Sequence, residues 1–277
     1  EKIVMKKINM LIASLLFFPF PLFADWKEIR IGIEGAYPPW NDINSSGQLE
    51  GAEVDMARDI CKRMGVTCSF IVQDWDEIIP ELLNKKYDVI ISSMLITEER
   101  KEKVEFSRGY MTDGACIVVD GSSDLVFFSP NKSSLNLDNS DDSTQVVLDE
   151  FVALFDGKII GVQSSTMQEN FVANRLPNAD LRTYSTQEEL NNDMVNLDAG
   201  IADCGNFNDL MAKSEGAHLI SLPISIGGGE FGAGVGVAFR KDDDDLREMF
   251  NSAIDEASAD GTLSMISTKW FGRDISM

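Results

Sequence analysis

The stretch Ser92–Arg100, SSMLITEER, follows the apolar run Val89–Ile91 and sets a guanidinium just inside a helix start. Thr97 is suited to cap that helix, and Glu98 and Glu99 complement the positive end of its dipole. Arg100 does not, because a cation in the first turn is mildly unfavourable unless an anion meets it. Either neighbouring glutamates hold Arg100 on an exposed helix, or an anion comes to it. Three other places carry comparable chemistry. Glu34 ends a strand-like run with Tyr37 close behind, Trp75 opens a helix-like segment, and Gln163–Gln168 (QSSTMQ) forms a strand-to-helix turn. Backbone N–H groups in such a turn, with the Ser165 and Thr166 hydroxyls beside them, are donors for an anionic group. Each place also has a plain structural reading. Glu34 can be an exposed strand end, Tyr37 a turn packer beside Pro38, and Trp75 a helix-start anchor. Ser165 and Thr166 can simply cap the helix bearing Phe171.

Cys61 and Cys68 stand seven apart in CKRMGVTC, a spacing wrong for a zinc knuckle, and His218 is the one histidine of the chain. In an exported protein that spacing implies a short-loop disulfide tying a helix end to the next strand. For Cys116 and Cys204 two readings stay open, free buried thiols or a second disulfide. No nucleophile–base pair, metal cluster or phosphate loop is evident, so no catalytic residue, metal or cofactor is expected. The glycines of GGGEFGAGVG precede a strand rather than open a helix, which argues against a dinucleotide site.

The elements that must position these residues alternate. Strand patterns at Ile29–Ile33, Ser69–Val72 and Asp88–Ile91 enclose helical ones at Gly51–Met64 and Trp75–Asn84. After a strand at Ala115–Val119, the polar stretch at 133–145 reads as an exposed excursion. A second βαβαβ set then runs from Lys158 through a strand at Ala202–Asn206. Two such units imply two lobes with parallel sheets, their ligand lying beyond the carboxyl ends of the strands. Expected boundaries are lobe 1 at 25–113, lobe 2 at 114–225, and a return segment at 226–277.

Lys6 and Lys7, the apolar run Ile8–Phe23 and Ala24 read as a signal peptide over residues 1–24, with a soluble exported protein to follow. The formal charge is −22, and its removal makes the chain two units more acidic. Such a chain does not bind nucleic acid by neutralising phosphates.

The stretches IRIGIEGAYPPW, DWDEIIPELLNKKYDVIISSMLITEER, EFSRGYM, GVQSSTMQENF, LDAGIAD and GVGVAFRKDDDDL, in that order, resemble the periplasmic substrate-binding proteins of polar amino-acid ABC transporters. Within them the chain looks nearest to the lysine–arginine–ornithine, histidine and opine binders. The resemblance implies an α/β, two-lobed type II periplasmic-binding-protein fold, each lobe a mostly parallel sheet with flanking helices, joined by two crossing hinge strands. It also implies a monomer that captures a basic amino acid or opine-type arginine derivative and passes it to a membrane permease. The alternatives are a hydro-lyase-type periplasmic enzyme or a ligand-sensing module on the same fold.

By the same resemblance Arg100, with Ser92 and Ser93, receives the ligand's carboxylate. Glu34 meets a cationic side chain between the rings of Tyr37 and Trp75, and Gln163, Ser165 and Thr166 complete the second lobe's share. Two departures stand out. Leu95 replaces the usual hydroxyl residue, and Asn208 falls where many relatives carry an aspartate for the α-ammonium (Asp209 if the alignment shifts by one). Together they favour an opine-type ligand, whose α-nitrogen is substituted.

Overall fold

The computed structural model describes residues 26–139 and 141–277, and the signal segment expected at 1–24 lies outside the described residues. The first strand, β1 (Glu28–Ile33), is held by Ile29, Ile31 and Ile33, all fully buried. A small sheet of β2 (Ala36–Tyr37), β3 (Asn41–Ile43) and β4 (Leu49–Glu50) follows and leads into α1 (Ala52–Met64). Between them Gly51 has φ 129°, and a Cβ there would stand 2.3 Å from the Trp40 carbonyl oxygen, so only glycine fits. α1 ends on Gly65 in the left-handed conformation, and β5 (Thr67–Val72) returns parallel to β1. Cys61 and Cys68 are disulfide-bonded across that turn. Then come α2 (Ile78–Leu83), entered through a tight turn at Trp75–Glu77, β6 (Val89–Ile90), α3 (Glu98–Lys101) and β7 (Glu105–Phe106).

The chain then crosses into a second sheet. Its elements are β8 (Ala115–Asp120), β9 (Ser134–Asn136), α4 (Asp142–Leu154), β10 (Ile159–Gln163), α5 (Met167–Arg175) and β11 (Asp180–Tyr184). They continue with α6 (Gln187–Asp193), β12 (Ala199–Asp203), α7 (Cys204–Met211) and β13 (Leu219–Gly227). A second crossing brings the chain back as β14 (Ala238–Phe239), α8 (Asp244–Ala259) and α9 (Thr262–Phe271). The sheet orders are β5-β1-β6-β14-β7 and β11-β10-β12-β8-β13-β9. In the first sheet β14 runs antiparallel between β6 and β7; in the second, β8 runs antiparallel between β12 and β13. The two crossings meet where Val235 bridges both Leu95 and Met111.

Two expectations change. The polar stretch at 133–145 is not only an excursion: Leu135 is buried, β9 adds an edge strand beside β13, and Asp141 caps α4 by accepting from the Thr144 N–H at 2.7 Å. The strand expected at Ala202–Asn206 ends at Asp203, and α7 begins at once with Cys204. The abrupt change follows from packing, since the Gly205 N–H donates to Asp113 at 2.6 Å and a Cβ there would strike the Phe271 ring.

Cys204 is thereby turned toward β8 and is disulfide-bonded to Cys116, with Cα atoms 4.8 Å apart and a sequence separation of 88. Both thiols are accounted for, and no free cysteine remains among the described residues. A bond closing so long a loop restricts the unfolded chain strongly. Replacing Cys116 and Cys204 by alanine is expected to lower the unfolding free energy by about 2–5 kcal/mol in a urea titration.

Candidate functional site

Four strand ends converge where the two sheets face each other. β1 delivers Glu34, β6 delivers Ser92 and Ser93, β10 ends on Gln163, and β12 ends on Asp203. Glu34, Tyr37, Trp75, Ser92, Ser93, Arg100, Gln163 and Thr166 line one narrow cavity of about 30 Å³, together with Leu95, Met167, Gln168 and Asp203. The lobes stand closed over it. Gln163 Nε2 donates to Glu34 at 2.6 Å, and the Asp203 N–H donates to the Tyr37 hydroxyl at 3.2 Å. Ser93 Oγ donates to Asp203 at 3.2 Å, and Asn206 Nδ2 to the Pro38 carbonyl at 2.8 Å.

Arg100 is turned inward. Thr97 caps the short α3 by accepting from the Arg100 N–H at 3.3 Å, while Glu98 pairs with Lys101 instead. The guanidinium is 7% exposed; it donates to the Leu95 carbonyl at 3.1 Å and reaches the Ser165 carbonyl at 3.5 Å. Its carbon lies 5.2 Å from the centre of the Trp75 ring, within cation–π range. Among the described residues no carboxylate lies within ion-pair distance of it. Burial pulls its pKa down to about 10, so it remains a cation at neutral pH. The exposed-helix reading of Arg100 does not hold.

Two buried acids share the cavity with that cation. Burial raises Glu34 to about 7, against the lowering hydrogen bond from Gln163 and with further raising by Glu53, Asp76 and Asp74. Burial and the nearby Asp113 raise Asp203 to about 8, against lowering bonds from Ser93 and Gln168, the latter donating at 2.9 Å. Desolvation leads in both cases, and it disfavours the charged form until a cation is brought against it.

The remaining expected residues divide. Ser92 Oγ accepts from the Glu34 N–H at 3.0 Å and so fixes the acid's backbone. Trp75 borders the cavity, but its ring is already partnered by Arg100, and its Nε1 donates to the Ser165 carbonyl at 3.2 Å. Ser165 is exposed and has φ 57°; its N–H is taken by Glu169 at 2.6 Å, so it offers the cleft a carbonyl rather than a donor. The Thr166 hydroxyl donates to the Gln163 carbonyl at 2.7 Å and caps α5.

Asn208 is the correction that matters. It lies exposed on α7, past the first turn and outside the cavity, while Asp209 pairs with Lys213 at 2.7 Å. The acid in the cavity is Asp203. The signal that finds it is its place as the last residue of a strand, like Gln163 on β10. Gln168, which orients Asp203, was likewise not singled out.

A family model described as bacterial extracellular solute-binding proteins, family 3, matches residues 29–273. The octopine-binding periplasmic protein of Rhizobium meliloti is 32% identical over 292 aligned positions, which cover 98% of this chain and 99% of that one. The L-arginine-binding protein of Pseudomonas aeruginosa is 34% identical, with 98% of each chain covered. Among solved structures, a periplasmic His/Glu/Gln/Arg/opine family-binding protein from Silicibacter pomeroyi in complex with lysine is 33% identical. It superimposes with a TM-score of 0.70 over 90% of this chain and 99% of its own.

Proposed function

The chain belongs to family 3 of the bacterial extracellular solute-binding proteins, and we propose on that basis that it captures a free basic amino acid, L-arginine foremost, in the periplasm. The observation that carries this reading is the charge inventory of the cavity: one guanidinium, Arg100, and two carboxylates, Glu34 and Asp203. That is the inverse of a basic amino acid, which brings one carboxylate and two cations. Arg100 receives the α-carboxylate as a planar fork. Asp203, steadied by Gln168 and Ser93, receives the α-ammonium. Glu34 receives the side-chain cation beside Tyr37. A neutral amino acid leaves one acid buried without a counter-charge.

The opine preference expected from Asn208 loses its premise, because Asp203 supplies the acid for a primary α-ammonium. Relatives named for L-arginine and for octopine, and one solved with lysine, keep both free basic amino acids and opines within the ligand class, and the pair of cavity acids favours the free amino acid. In the working cycle the ligand enters between the lobes, closure buries it, and the closed monomer docks on an ABC transporter permease. The protein binds without turnover. Micromolar affinity corresponds to about −8 kcal/mol, within reach of three charge-assisted contacts and closure.

Isothermal titration of the ligand-stripped protein with L-arginine, L-lysine, L-ornithine, L-histidine, octopine, nopaline and L-glutamine tests the assignment. L-Arginine is expected to bind at micromolar affinity or better and at least tenfold more tightly than octopine. Tighter binding of an opine or of glutamine overturns it. Glu34→Gln is expected to weaken L-arginine by roughly 10–100-fold, the worth of one charge-assisted hydrogen bond, without lowering affinity for a neutral amino acid.

A further inference from the structure

Outside the cavity lies a buried carboxylate that, unlike Asp88 with its arginines, has no cationic partner among the described residues and is not used in the scheme above. Glu53, the second residue of α1, is fully buried, and among the described residues no cation lies within ion-pair distance of it. Three donors surround it instead. One oxygen accepts from the Ser93 N–H at 2.6 Å and from the Tyr110 hydroxyl. The other accepts from Asn41 Nδ2 at 2.7 Å. The N-terminal turn of α1 adds a favourable dipole for the negative charge.

Each donor leads somewhere functional. Ser93 holds a left-handed backbone, φ 46°, costly for a residue with a Cβ, and from that turn its hydroxyl reaches Asp203 across the cleft. Asn41 accepts in turn from the Gly35 N–H at 2.7 Å and so fixes the turn directly after Glu34. Tyr110 opens the first crossing segment, where its N–H donates to Val235 on the second crossing at 2.9 Å and its carbonyl accepts from Met277 at 3.1 Å.

We infer that Glu53 is a positioning residue for ligand capture, holding the Ser93 and Gly35 turns of lobe 1 in register with the crossing segment at Tyr110. This rests on the proposed binding of a basic amino acid. Glu53→Gln tests it, because an amide presents a donor where one of the three donors now points, so at least one turn loses its partner. The expected result is a Kd for L-arginine at least tenfold higher in a folded protein. In a Ser93→Ala background the same change is expected to cost less than in the parent, since one of the contacts it positions is already gone. Unchanged affinity, or an equal loss in both backgrounds, overturns the inference.

Should Glu53→Gln fail to fold, Tyr110→Phe removes only the donor of the crossing segment. A severalfold rise in Kd is then expected, and wild-type affinity in that folded variant overturns the inference. Failure of the unmodified protein to bind L-arginine refutes the ligand assignment itself, a result visible without any variant.

Discussion

Arg100→Ala is expected to weaken L-arginine binding by roughly two to three orders of magnitude. The guanidinium is nearly sealed inside the closed cleft, and its protein partners are two carbonyls and the face of Trp75. None of these neutralises it, so the charge is held ready for an anion from outside. With alanine in place the ligand's carboxylate is carried into the same dry cavity and meets no cation. Truncating one partner of a buried charge pair costs about 2–5 kcal/mol, most of it the penalty of the stranded charge. Calorimetric titration reads the loss directly.

Thermal melting separates it from misfolding. The variant removes an uncompensated buried cation, so its melting temperature without ligand should match or exceed that of the parent. The upward shift that saturating L-arginine gives the parent should vanish. A variant that keeps parental affinity would place the ligand's acid elsewhere.

Much of this architecture is legible in the sequence because local rules agree with the global fold. β1 and α1 show it: isoleucines at alternate positions make a strand with one face in the core, and an apolar helical face closed by Gly65 makes the crossover back to β5. Glu34, Ser92 and Gln163, named through the family resemblance, also stand where ligands sit, beyond the carboxyl ends of parallel strands. Asp203 obeys the same rule and was missed for a physical reason. β12 passes into α7 with no linker, so the run ADCGNF reads as continued strand and the acid is hidden in its interior. What ends the strand is the packing of Gly205 on Phe271, some 66 residues further along the chain, and no local pattern announces it. The partner of Cys204 was open for the same reason. Glu53 is different again. Its position at a helix start looks like ordinary dipole chemistry, and its three donors come from segments that only the folded chain brings together.

On the proposed assignment, in which Asp203 rather than Asn208 meets the α-nitrogen, Asp203→Asn carries the second large effect. Asparagine keeps the volume; its Oδ1 can still accept from Gln168 and its Nδ2 can donate to the Ser93 hydroxyl, so the cleft retains its shape. What is lost is the charge. A primary ammonium then lies buried against a neutral amide, and L-arginine is expected to bind about two orders of magnitude more weakly. 5-Guanidinopentanoate, which lacks the α-amino group, should bind the parent and the variant within threefold of each other. An equal loss for both ligands would detach Asp203 from the α-ammonium.

The pH dependence follows with a definite sign. Within the closed cleft burial holds Asp203 near 8 and Glu34 near 7, so below those values the free protein carries protons there. A ligand with two cations requires both carboxylates ionised, so binding must expel those protons, and affinity falls as pH drops from about 8 toward the ordinary carboxylate range. The raised values work the other way on the closed fold without ligand. Their contribution to its stability is complete below the unfolded carboxylate values and is lost as pH rises through about 7 and 8. Titrations at pH 6.5 in two buffers of different ionisation enthalpy should therefore report proton release for the parent and less for Asp203→Asn. Identical heats in both buffers would mean that the two acids are already ionised in the free protein, and with that the cavity would present fixed charges rather than groups the ligand itself must ionise.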